Sequence, residues 1–159
     1  MNTVICPFSG DPITYGHIDI IERAAHTFEH VIAAIGVNPL KQYLFTLEER
    51  LQMAREALGY LKNVEVDSYE GLLADFARNK HTNAVIRGIR NAEDFNYEWM
   101  LHQINIGIDN TLETFWIPCS KEKENISSTE VRKLWQQGGN ISALAPAIVI
   151  EMLNNKIFH

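Results

Sequence analysis

Residues 7–17 read Pro-Phe-Ser-Gly-Asp-Pro-Ile-Thr-Tyr-Gly-His and set hydroxyls, an acid and an imidazole between a short apolar run and a helical pattern. Ser9 and Thr14 carry hydroxyl donors, Gly10 and Gly16 permit backbone close to a ligand, and His17 falls in a first helical turn. At the carboxyl end of a parallel strand, such a segment lies where unpaired helix N–H groups point at an anion. Phosphate binding is the chemistry these residue types suit. The segment is neither of the familiar glycine loops: its glycines are spaced six apart, unlike G-x-G-x-x-G, and no G-K-[ST] follows.

Three isolated cations extend the same reading. Lys41 lies in Asn-Pro-Leu-Lys-Gln-Tyr, a loop following the second apolar run, and Arg87 and Arg90 flank Gly88 at the end of a third. A guanidinium grips phosphate oxygens in pairs, so two of them at a strand end suit an anionic substrate. No Ser/His/Asp triad and no metal-spaced His/Cys cluster accompanies them.

The elements that must hold these groups can be read from the apolar pattern. Residues 3–6, 31–37 and 83–87 are short apolar runs bounded by turn residues, as in strands buried on both faces. Residues 63–69 alternate, with Val64 and Val66 on one face, and 113–118 form a fifth candidate; both suit sheet edges. Ile18, Ile21, Ala25 and Phe28 make a helical stripe beginning near His17. Thr46 and Glu49 stand in capping-box spacing before Leu47, Leu51, Ala54 and Leu58. Residues 72–79 and 92–104 supply two more helices. Ser127 and Glu130 cap another, which Gly138-Gly139 stops, and 144–158 is a last apolar helix. Strand and helix alternate, so the expected class is α/β with a parallel sheet. With no repeat, linker or low-complexity tract, a single domain over 1–159 is expected.

Bulk properties narrow the partners. A net charge of −6 with no basic cluster disfavours nucleic acid, and no window of apolar residues is long enough to span a membrane. The expected location is cytoplasmic. Cys6 and Cys119 are far apart, at the ends of apolar runs, and read as reduced core thiols.

Thr14-x-Gly16-His17 resembles the T/H-x-G-H signature of the nucleotidyltransferase superfamily. Residues 87–101, RGIRNAEDFNYEWML, closely resemble the R-G-[LI]-R-x-x-x-D-[FY]-x-Y-E block of bacterial phosphopantetheine adenylyltransferases. ITYGHIDIIERA, LFTLEER, LLADFAR and ISSTEVRK fall in the same order at nearly the same spacings, so the resemblance covers almost the whole chain. It implies a Rossmann-like, five-stranded parallel sheet of nucleotidyltransferase type with helices on both faces. It also implies transfer of adenylyl from ATP to 4'-phosphopantetheine, giving dephospho-coenzyme A and pyrophosphate in coenzyme A biosynthesis. By the same resemblance His17 is the catalytic donor to the α-phosphate. Ser9, Gly10, His17, Gly88, Ile89, Arg90, Glu98, Ser127, Ser128 and Thr129 would surround ATP. Ser9, Lys41, Leu73 and Arg87 would hold phosphopantetheine. Mg²⁺ would arrive with ATP rather than in a protein cage, and the family's assembly is a homohexamer, with Trp99 and Met100 as interface candidates.

Two stretches depart from the family pattern. The family usually reads P-G-[ST]-F-D-P, whereas here glycine and phenylalanine exchange places as Phe8-Ser9-Gly10. A positive φ at position 8 would strain a phenylalanine by roughly 1–3 kcal/mol, while Gly10 could absorb a shifted turn. The residues before Ile126, Lys-Glu-Lys-Glu-Asn, replace an aromatic and a small polar residue. The rival readings are a relative with another acceptor, such as nicotinamide mononucleotide or a glycerol phosphate, and a non-catalytic nucleotide- or coenzyme-A-binding module.

Overall fold

The computed structural model describes residues 2–157. In chain order the elements are β1 (Thr3–Phe8), α1 (Tyr15–Thr27), β2 (His30–Val37), α2 (Leu47–Leu58), β3 (Val64–Glu70) and α3 (Leu73–Asn79). They continue with β4 (Ala84–Ile89), α4 (Ala92–Ile108), β5 (Glu113–Pro118), a 3₁₀ turn at Lys121–Lys123, α5 (Ser128–Gln136) and α6 (Ala147–Ile157). The strands form one parallel five-stranded sheet in the order β3-β2-β1-β4-β5. β3 and β5 are the edges, where their mixed polar sequences place them.

Residue alternation along the strands divides the core in two. Val4, Cys6, Val31, Ala33, Ile35 and Ile86 point to one face and meet Ile18, Ile21 and Ala24 of α1, Leu51, Ala54 and Leu58 of α2, and Val149 and Leu153 of α6. Ile5, Ile32, Ala34 and Val85 point to the other and meet Ala74 and Ala77 of α3. Small residues on α3 let it lie close to the sheet, and α4 packs beside it against β4. Helices therefore cover both faces, which is why the central strands are apolar throughout.

The sheet order reverses between β1 and β4, and in open parallel sheets that is where ligands bind. Here β1 pairs with β2 over six residues but with β4 only at Ile5–Val85. Beyond that pair a side chain replaces the ladder: Arg87 Nη1 donates to the Pro7 carbonyl at 2.8 Å. The strands thus part at their carboxyl ends.

Several boundaries differ from the pattern. β1 runs on through Pro7 and Phe8, two residues beyond the apolar run, and α4 reaches Ile108 rather than 104. In α2, Leu47 is only half-buried, whereas Met53 and Arg50 are fully enclosed. The Thr46–Glu49 capping box forms, with Glu49 N donating to Thr46 Oγ1 at 3.2 Å and Thr46 N to Glu49 Oε2 at 2.7 Å. Ser127 Oγ accepts from Glu130 N at 3.1 Å, the forward half of the expected box, and Gly138 ends α5 at φ +73°. The last helix starts at Ala147, after Pro146, and Phe158 lies outside the described residues.

Candidate active site

Thr14 is extended (φ −131°) and caps α1, so His17 stands at the third helical position. The Thr14 backbone N–H donates to His17 Nδ1 at 3.1 Å, and Thr14 Oγ1 lies 3.1 Å from the same nitrogen. A nitrogen that accepts an N–H carries no proton of its own, so the neutral ring is the Nε2–H tautomer. Among the described residues Nε2 has no partner. Burial, then the charges of Arg90 and Arg87, pull the imidazole's pKa down to about 4. At neutral pH the ring is therefore an uncharged donor aimed from a helix N-terminus into the cleft.

That cleft has a volume of about 400 Å³ and lies over the parted ends of β1 and β4. Its walls include Ser9, His17, Lys41, Arg87, Gly88, Arg90, Glu98, Ser127, Ser128 and Thr129, which come from strand ends, helix starts and loops scattered over more than a hundred residues. A smaller cavity of about 210 Å³ adjoins it, lined by Leu73, Leu101 and Asn105 among others. Arg87 and Glu98 border both spaces.

Arg87 shares a sheet face with Val85, so its side chain leaves β4 toward α4. There Nε donates to Glu98 Oε2 at 2.7 Å and Nη2 to Oε1 at 2.6 Å. Glu98 is buried, and the pair forms the partition between the two spaces. Three of Arg87's five N–H groups are used by protein acceptors, which leaves two for a ligand. Arg90, at the cleft mouth, is held by Asp94, with Nε–Oδ2 at 2.8 Å and Nη2–Oδ1 at 3.2 Å. Lys41 is exposed on the loop after β2, its ammonium 5.4 Å from the centre of the Tyr43 ring.

Gly88 plays a packing part: a Cβ there would come within 2.8 Å of Ile20 Cγ1, so the glycine lets α1 approach β4. Ile89 does not reach the cleft wall; its carbonyl accepts from Cys119 N at 2.9 Å. Gly10 lies behind the wall, buried, at φ +62°. Position 8 is ordinary strand, so the strain that a positive φ would impose on Phe8 does not arise.

Sequence reasoning missed several groups here. Asp11 is buried and anchors the Lys41-bearing loop by accepting from Leu44 N at 3.0 Å and Phe45 N at 2.9 Å. Arg132 donates to the Asp11 carbonyl and lines the cleft four residues beyond Ser128, on the same side of α5. That i, i+4 spacing was the available signal. Arg50, 2% exposed, donates to the carbonyls of Ser9 (2.8 Å) and Gly36 (3.3 Å) and packs 3.9 Å over the Tyr43 ring.

Sequence comparison bears directly on this arrangement. A family model described as Cytidylyltransferase-like matches residues 9–134. The phosphopantetheine adenylyltransferase of Symbiobacterium thermophilum is 42% identical over 156 residues, covering 98% of this chain and 96% of that protein. The enzyme of the same name from Haemophilus ducreyi is 44% identical over 154 residues, covering 97% and 96%. The chain belongs to the phosphopantetheine adenylyltransferase family. A Vibrio parahaemolyticus structure, described as a candidate nicotinate-nucleotide adenylyltransferase, superposes with a TM-score of 0.66 over 96% of this chain and 99% of that one. At 20% identity it speaks for the fold alone.

Membership of the phosphopantetheine adenylyltransferase family agrees with the parallel five-stranded sheet and its nucleotidyltransferase neighbour. It also makes the chain an enzyme, a nucleotidyltransferase, rather than a passive binding module. Cys6 is a buried core thiol, whereas Cys119, expected in the core as well, is half-buried and lines the cleft; burial pushes Cys6 up to about 12 and raises Cys119 as well.

Proposed function

We propose that this cleft transfers the adenylyl group of ATP to 4'-phosphopantetheine, releasing pyrophosphate and forming dephospho-coenzyme A. The observation that carries the reading is the convergence of the His17 Nε2–H donor, the Arg87 and Arg90 guanidiniums and the N-terminus of α5 on one cleft. An acceptor phosphate near Lys41 and Arg87 attacks the α-phosphorus in line. Charge grows on the equatorial oxygens, and Nε2–H donates to one of them in the transition state. Arg90, Arg132 and the N–H groups of Ser128 and Thr129 take the departing pyrophosphate, whose charge suits a helix N-terminus. Leu73, in the adjoining cavity, receives the uncharged arm of the acceptor.

The acids of the cleft wall are already engaged, Asp11 by backbone N–H groups, Asp94 by Arg90 and Glu98 by Arg87. This supports Mg²⁺ arriving with the ATP, where it would neutralise phosphate charge. The exposed Tyr97, Trp99, Met100, Ile104 and Ile108 make α4 apolar on its outward side, which supports burial against other copies in the hexamer that the resemblance implies. Among the described residues no helix is long and apolar enough to cross a membrane, and a cytoplasmic site of action is proposed.

The test follows pyrophosphate release from ATP with phosphopantetheine, nicotinamide mononucleotide or glycerol phosphate as acceptor. Preference for phosphopantetheine is expected, with loss of turnover on chelating magnesium. ATP binding without release for any acceptor would overturn the assignment.

A further inference from the structure

Phe8 is the last residue of β1, and its side chain stands between the core and the cleft. The ring centre lies 5.1 Å from that of the His17 imidazole, with the planes 39° apart. This is contact distance for an aromatic pair. A Cβ built on Gly10 would meet Phe8 Cε2 at 3.0 Å, Cδ2 at 3.4 Å and Ile35 Cδ1 at 3.6 Å. The ring thus fills the space that a side chain at position 10 would need, and Gly10's positive φ turns the chain around it. Arg50 clamps the intervening Ser9 carbonyl at 2.8 Å, so the turn beneath the ring is fixed.

The bonds from Thr14 to Nδ1 set the ring's rotation about Cβ–Cγ, and each is a single contact of 3.1 Å that the ring breaks by turning about that axis. The Phe8 ring packs against the imidazole at 5.1 Å and opposes that turn. We propose that Phe8 is a positioning residue for the adenylyl transfer. Its ring and the Thr14 cap together hold Nε2–H toward the cleft, and the ring adds to the positive φ as a reason for glycine at position 10. The inference rests on the function proposed above, since it assigns Phe8 to the step that His17 serves.

The experiment uses the full chain and the variants Phe8→Leu, Phe8→Ala, Gly10→Ala and the double variant Phe8→Ala/Gly10→Ala. Folding is followed by circular dichroism, kinetics by pyrophosphate release, and the imidazole by its nitrogen-15 spectrum without substrate. Phe8→Leu keeps apolar bulk, so it is expected to fold, to lose about 10-fold or more in kcat, and to leave KM for ATP little changed. His17 should pass from a single Nε2–H tautomer to an averaged pair. Gly10→Ala displaces the ring without removing it, and reads the same contact should Phe8→Leu fail to fold. Its backbone strain is common to both backgrounds, so a smaller loss when Gly10→Ala is added to Phe8→Ala than when it is made in wild type isolates the clash with the ring.

Unchanged kcat and tautomer in Phe8→Leu would overturn the proposal. So would a raised KM for ATP with kcat and tautomer intact, because Phe8 would then be a ligand contact. A wild type that releases no pyrophosphate with phosphopantetheine would instead sink the function, while the tautomer measurement, which needs no substrate, still judges Phe8.

Discussion

Neutralising Glu98 tests whether the Arg87–Glu98 pair both supports the fold and competes with the acceptor's phosphate. Glu98→Gln keeps the shape of the side chain but removes its charge. The wild-type pair is joined by bonds of 2.7 and 2.6 Å, and the two side chains are 22% and 11% exposed. Breaking a fully buried pair costs about 3–5 kcal/mol. Here the guanidinium borders two cavities that water can enter, and glutamine can still accept one bond, so about 2–3 kcal/mol is expected. At about 2–4 °C per kcal/mol for a chain of this size, Tm should fall by roughly 4–12 °C. A phosphate that replaces the missing charge restores part of this, so phosphopantetheine should raise Tm more in the variant than in wild type. Thermal unfolding with and without the acceptor gives both numbers. A variant as stable as wild type, or one that the acceptor stabilises less than wild type, would refute the reasoning.

Removing the donor itself, His17→Ala should keep the fold and ATP affinity while kcat falls on the order of 100- to 1,000-fold; an equal rate would end the role given to the imidazole. His17 is neutral down to about pH 4 in the fold, whereas an unfolded histidine takes a proton near pH 6.5. The unfolded chain binds more protons in that window, so stability should be lost as pH falls from about 6.5 toward 4, more steeply in wild type than in His17→Asn. Gly88→Ala forces a methyl to within 2.8 Å of Ile20; overpacking of about 1–3 kcal/mol should appear in denaturant unfolding, with the displacement carried to Arg87 and Arg90. Arg132→Ala should raise KM for ATP by roughly 10- to 100-fold, the worth of one charged hydrogen bond, with a smaller effect on the KM of the acceptor.

The strands and the two edge positions were legible because burial on one or two faces writes itself into apolar patterning. β5 begins and ends where its run does, at Glu113 and Pro118. β1 outlasted its apolar run because a proline reads as a break, yet in this strand the Pro7 carbonyl still finds a donor, the Arg87 side chain. Cleft residues carried by a motif were also legible, His17, Arg87 and Ser127 among them. What periodicity cannot express is a partner across the fold. Glu98 lines the cleft, as the resemblance implied, but nothing in the sequence showed that its carboxylate also holds Arg87, eleven positions away across a strand-to-helix junction. Arg50 stands outside the apolar stripe of α2, yet it is enclosed beneath the Ser9 turn.

Among the described residues the enclosed Arg50 meets two carbonyls and an aromatic face but no carboxylate. An acidic molecule therefore keeps a surplus positive charge in a region of low dielectric under the Ser9 turn at the cleft wall. That potential is built into the framework and does not depend on any mobile side chain finding its rotamer. Arg87 and Arg90 are each matched by a carboxylate, Glu98 and Asp94, so the charge left unmatched in the empty framework is that of Arg50. Polyphosphate entering the cleft answers that charge, and so the occupied form should resist heat and proteolysis better than the empty one.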